Sequence, residues 1–206
     1  MKLVLPPRVP PAPHRHPRLA MALHWLSALA VAAAFALAWT RAGLDEPRPR
    51  AALMLVHQCT GLLVLALLAF RVGVRLATWP TRPRHDIPRP VRALAFGTHL
   101  ALYAALLAMP MLGWALANAH GHDVRLPGGA SLPALVPVDP DLADTLESWH
   151  VGLSWMLLSL VALHASAALF HHFVRRDDVL RTMLPGGRHT RARPPDCAAR
   201  PPTWET

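Results

Sequence analysis

Apolar residues in this chain gather into four runs, each bounded by clusters of proline, glycine and charge. The first extends from about Leu19 to Thr40 and is closed by Gly43 to Arg50; the second extends from about Ala52 to Leu76 and is closed by Trp79-Pro80. Beyond the Pro/Arg-rich connector Thr81 to Pro90, a third run covers Val91 to about Ala117, and a fourth covers about Ser148 to Val174. As a helix, each run is long enough to cross a hydrocarbon core of roughly 30 Å. A water-soluble domain would instead show amphipathic segments of ordinary length. The pattern predicts an all-α, integral-membrane four-helix bundle. Pro110 falls inside the third run, where a membrane helix tolerates it with a kink. The longest connector, Asn118 to Glu147, holds several prolines and the pair Gly128-Gly129, and predicts a loop with little regular structure.

Composition agrees with a membrane chain: of 206 residues, 53% are hydrophobic and 16% charged. Charge then orients the bundle. Lys2, Arg8, Arg15 and Arg18 precede the first run without an acid, and Arg71 to Arg92 holds six arginines against Asp86 alone. Arg175, Arg176, Arg181, Arg188, Arg191, Arg193 and Arg200 follow the fourth run, whereas the loop before it sets Arg125 against Asp123, Asp139, Asp141, Asp144 and Glu147. Positive charge stays inside, so both termini are expected in the cytoplasm. Pro110 then lies in the outer half of its helix. The formal charge of +9 has no aromatic-interleaved basic face with it, and topology accounts for it better than nucleic acid does. The basic start is broken by prolines and histidines and lacks a small-residue cleavage site, so it reads as a retained tail. The expected division is a cytoplasmic tail over 1–18, the four-helix domain over 19–185, and a disordered Pro/Arg-rich tail over 186–206. Cys59 and Cys197 fall on opposite sides of the membrane and form no metal motif.

Thirteen histidines sort by position. His14, His16, His85 and His189 lie in polar tails or connectors and read as solvated. His24, His57, His99, His150, His164, His171 and His172 lie in or at the ends of apolar runs, where an ionisable group is expensive and marks function by default. His150 and His164 are fourteen residues apart, four helical turns, so they share a face about 21 Å apart along the axis. One helix can then serve two sites, one per leaflet. Depth pairs them: His24 near the cytoplasmic end of the first helix with His164, and His57 at the outer start of the second with His150. Haem b needs two axial imidazoles from facing helices, because the porphyrin fills the equatorial plane and a bundle interior supplies an apolar slot. For any one of these residues, a structural histidine bonded to a carbonyl is an equal reading; four at two matched depths favour two haem b groups.

These residues also carry a family resemblance. His24-Trp25, His57-Gln58-Cys59-Thr60-Gly61, Trp149-His150 and Leu163-His164 through His171-His172 are similar to the bacterial cytochrome b-561 family. Met109-Pro110, Gly113-Trp114, Asp177-Asp178-Val179-Leu180 and Met183-Leu184-Pro185 extend the likeness over roughly residues 18 to 185. The resemblance implies a four-helix dihaem protein with His24, His57, His150 and His164 as axial iron ligands. It also implies a quinone-linked electron carrier of the respiratory kind, with superoxide oxidation outside and ubiquinone reduction in the membrane as the activity of some members.

Secondary features follow. Arg71, fourteen residues after His57, and Arg75, four further on, fall on or near the haem-facing side of the second helix. Either is a donor for a haem propionate or a quinone carbonyl; positive-inside anchoring is the plainer reading, equal for Arg71 and slightly favoured for Arg75. His99 and His171 suit a propionate bond or proton transfer to a quinone, and an ordinary interfacial histidine equally. Trp39, Trp79, Trp114, Trp149 and Trp155 read as interfacial anchors. Gly61 and Gly152 sit beside proposed ligands, where a small residue lets a porphyrin approach, although helix packing explains glycine as well. His120 and His122 make a weak metal pair.

The expected function is transmembrane dihaem electron transfer between an outer-side donor and a membrane quinone, with superoxide a candidate donor. The acidic approach to His150 disfavours an anionic donor unless Arg41, Arg48 or Arg50 shields it. Two rivals are a cytochrome b anchor subunit of a multi-subunit dehydrogenase or reductase, and a haem-free, histidine-lined metal or proton transporter. Expected partners are membrane lipid, a quinone and a redox partner protein; the oligomeric state stays open, a homodimer included.

Overall fold

The computed structural model describes residues 18–77, 89–126, 128–176 and 180–184. The expected tails and most of the connector from Thr81 to Pro90 lie outside the described residues. Four helices run up and down in chain order: α1 (Arg18–Ala42), α2 (Pro47–Ala77), α3 (Arg89–Ala119) and α4 (Pro140–Phe170). All four are long and apolar enough to cross a membrane, and α3 continues unbroken through Pro110. Neighbours pack in sequence, most closely within the hairpins α1–α2 and α3–α4 and less so across α2–α3. One end of the bundle therefore gathers the α1–α2 turn and the α3–α4 connector; the other gathers the starts of α1 and α3 and the ends of α2 and α4.

The surface explains why the chain belongs in lipid. Leu29 is 68% exposed, Phe70 67% and Leu94 70%, side chains that would each cost about 1.5–3 kcal/mol to leave in water rather than in an apolar phase. Inside, small residues let the helices approach. Ala30, Val64, Leu68, Ala105, Leu106 and Leu157 form a buried cluster at mid-depth, and Ala115, Ala119, Ala143 and Leu146 form a second between α3 and α4.

The connector departs from the expectation of an irregular loop. α4 begins at Pro140, eight residues before Ser148. Asp139 is extended (φ −156°) and its side chain accepts a hydrogen bond from Leu142 N at 3.0 Å, with Pro140 in the first helical turn. Ala143, fully buried, then seats this polar start against α3. The rest of the connector is organised by Asn118, which donates to the His122 carbonyl at 3.2 Å and accepts from Leu135 N at 2.9 Å. α3 ends at Ala119, and two residues on Gly121 takes a φ of +77°, the left-handed conformation glycine tolerates. At its far end α4 passes into a π-helical turn, His171–Arg175. A short 3-10 turn, Arg181–Met183, follows, and its Met183 carbonyl accepts from Trp25 Nε1 at 2.7 Å.

Asp139→Ala removes the cap of α4 and is expected to cost about 1 kcal/mol, read as a lower unfolding midpoint in detergent, with Asp139→Asn retaining most of the stability.

Candidate functional site

Each helix places its histidines by register. α1 carries His24 two turns from its start, α2 carries His57 three turns from its own, and α4 carries both His150 and His164. The His24 and His164 rings face each other at 6.2 Å between centroids, their planes inclined by 64°. At the other end His57 and His150 face each other at 6.3 Å and 71°. A metal–imidazole nitrogen bond is about 2.0–2.1 Å, and a ring centroid lies about 1.1 Å behind its nitrogen, so two imidazoles sharing one metal stand roughly 6.3 Å apart. Both pairs have this span. All four rings are half-buried.

What surrounds the rings limits which metal group fits. Among the described residues no group of three or more His, Cys, Asp or Glu side chains is placed to hold an ion. A metal between either pair must bring its remaining ligands with it, as a porphyrin does. His57 Nδ1–H donates to the Ala34 carbonyl at 3.0 Å, which fixes the tautomer that leaves Nε2 free to coordinate. The His150 ring stands against Gly113: a Cβ there would meet its Cε1 at 3.2 Å. A Cβ on Gly61 or Gly152 would meet nothing within 4 Å, so both glycines border open space. The mid-depth apolar cluster lies between the two pairs and keeps that interval dry.

Arg71 lies at the His24/His164 end, its Nη2 3.4 Å from His24 Nδ1. Its guanidinium also sits over the Tyr103 ring, 5.5 Å from the centroid, and Arg75 shares that ring at 6.0 Å. His99, whose Nδ1–H donates to the Ala95 carbonyl at 2.6 Å, comes within 5.3 Å of the His164 ring. His120 and His122 are 6.4 Å apart at the tip of α3, with no third ligand among the described residues. Trp39, Trp149 and Trp155 are exposed, whereas Trp114 Nε1 is buried; Trp79 and Cys197 lie outside the described residues. Sequence reading passed over Ala34, Gly113 and Tyr103 as parts of these sites. Tyr103 carried a signal, being the chain's single tyrosine and one turn from His99, while a backbone carbonyl carries none.

A membrane-spanning bundle with imidazoles facing in pairs at two depths has the construction of a b-type membrane cytochrome. The chain belongs to the prokaryotic cytochrome b561 family, whose model matches residues 15–186. It is 32% identical over 174 residues to the probable superoxide oxidase CybB of Yersinia pestis, covering 82% of this chain and 96% of that one. Cytochrome b561 homolog 2 of Escherichia coli (strain K12) is 33% identical over 175 residues, covering 84% and 92%. Homolog 1 of the same organism is 28% identical over 166 residues, covering 79% and 93%. The protein is thus a haem-b-binding, multi-pass electron carrier of the bacterial inner membrane, which sets aside the haem-free transporter.

Gly113→Leu is expected to push the His150 ring aside and reduce the b-type absorption of the purified protein, with helix content by circular dichroism unchanged; Gly113→Ala, needing a shift of only tenths of an ångström, is expected to lose far less.

Proposed function

We propose that His24 with His164, and His57 with His150, each ligate the iron of one haem b, so that the chain carries two. Electrons pass between a donor at the outer face and a quinone in the membrane, with both termini in the cytoplasm. The observation that carries this reading is the equal spacing of the two imidazole pairs, 6.2 and 6.3 Å, on rings separated by fourteen residues of one helix. Iron so held supplies one-electron chemistry without bond breaking. The chain supplies everything else: four imidazole nitrogens, the Ala34 carbonyl that orients one ring, glycines that leave room beside the ligands, and an apolar interval that excludes water. Arg71 is placed to meet a cofactor carboxylate or a quinone oxygen with charge-assisted hydrogen bonds. A single relay helix fixes the separation of the sites, because the rise per residue of α4 does not change.

For the donor we favour superoxide, on the strength of the likeness to a probable superoxide oxidase. Two superoxide anions give two molecules of dioxygen and two electrons, which with two protons convert a quinone to a quinol. The approach to His150 carries Asp139, Asp141, Asp144 and Glu147, a charge of the wrong sign for an anion. Arg41, Arg48 and Arg50 stand at the same end and offset it.

The ligand assignment is tested by haem quantification and reduced-minus-oxidised spectra. Two haems per chain are expected in the wild type, falling to one in His57→Ala and one in His164→Ala; unchanged stoichiometry in either variant rejects the pairing. Asp144→Asn combined with Glu147→Gln is expected to raise the rate of haem reduction by superoxide several-fold at low ionic strength, in stopped flow, and the gain is expected to shrink as salt is added.

A further inference from the structure

The two imidazole pairs differ in what stands behind one ring of each. Behind His57 is an acceptor, the Ala34 carbonyl, 3.0 Å from Nδ1. A hydrogen bond donated from that nitrogen strengthens Nε2 as a ligand, and a stronger donor favours the oxidised metal. Behind His24 is a cation, with Arg71 Nη2 3.4 Å from Nδ1. When Nε2 of His24 is the ligating atom, Nδ1 carries the ring's proton, and a guanidinium has five donors and no acceptor to receive it. The ring keeps its proton without an acceptor, beside a fixed positive charge. It is the poorer donor, and an added electron is stabilised there.

Arg71 is held in this position. Its guanidinium lies over Tyr103, 5.5 Å from the ring centroid, a contact that favours a cation on an aromatic face. The charge of the wider molecule has the same polarity. All seven carboxylates among the described residues, from Asp45 to Glu147, sit at the His57/His150 end. At the other end the described charges are arginines alone, among them Arg71, Arg75 and Arg92. Arg41 opposes this polarity, its Nε buried without a hydrogen-bond partner at the His57/His150 end, but with Arg48, Arg50 and Arg125 it is outnumbered by the seven carboxylates there, Glu147 one turn before His150 among them. A low-dielectric interior screens such fields poorly.

We infer that Arg71 is a positioning residue that raises the midpoint potential of the His24/His164 site above that of the His57/His150 site. The inference rests on the two-haem reading and gives it a direction: one electron moves downhill from the His57/His150 site to the His24/His164 site, with no proton carried between them. This effect of Arg71 on the potential is exerted through His24 and the local field.

Potentiometric titration of the full chain in nanodiscs tests this. Two reductive waves are expected in the wild type, assigned by their loss in His57→Ala and in His164→Ala; the wave missing from His164→Ala is expected to be the higher. Arg71→Gln is expected to lower that wave alone and narrow the gap, and Arg71→Lys to restore most of it. An Arg71→Gln variant that keeps both haems but shifts neither wave, or shifts the wave belonging to His57, overturns the inference. So does a wild type in which the His164 wave is the lower, an outcome that decides the matter even where Arg71→Gln sheds haem. Failure of the two-haem reading itself would appear separately, as a haem count that does not fall in the histidine variants.

Discussion

A polar group in hydrocarbon has no water to fall back on, and that constraint shapes this molecule. It permits only closed hydrogen-bonded backbones across the membrane, hence four helices, and it makes every inward-facing imidazole an obligation to be met by something. Ala34 meets it for one nitrogen of His57, and Ala95 meets it for one of His99. The rings of His24 and His164, and of His57 and His150, stand 6.2 and 6.3 Å apart, a span that one shared metal fills. Apolar packing is thin because lipid, not protein, covers the outer faces; the interior holds two clusters of alanine, valine and leucine.

α4 has the central part in this arrangement. It contributes one histidine to each pair, so the depth of both sites is fixed by a single rigid element, and the α1 and α2 histidines need only reach the right level. Its two ends are secured by different means. Asp139 caps the first turn and Ala143 seats it on α3; beyond the last turn, the chain returns far enough for Met183 to bond Trp25 beside His24. The histidine register therefore does not depend on fraying ends.

Much of this was legible in the sequence, for reasons that can be named. Runs of apolar residues long enough to span a bilayer have few other uses, so the four helices declared themselves. That the His24 ring would stand beside His164, and His57 beside His150, was also legible, because depth along a spanning helix is a count of residues. What did not show was anything set by helix rotation. The contact of Gly113 with His150, the stacking of Arg71 and Arg75 on Tyr103, and the approach of His99 to His164 depend on which way each helix faces its neighbour. The first turns of α4 were hidden for another reason: Asp139 to Glu147 is acidic and proline-marked, composition that suits a loop, and only its cap and the burial of Ala143 and Leu146 make it a helix.

The hairpins α1–α2 and α3–α4 are each the closest-packed parts of the bundle, and the contact between them is looser. Each imidazole pair takes one ring from either hairpin. Anything that binds between two facing rings is therefore a rivet through both halves, and the bundle holds two rivet holes at opposite ends. A group that fills those gaps would add, beyond its own chemistry, the tie between the hairpins that their direct packing leaves weak.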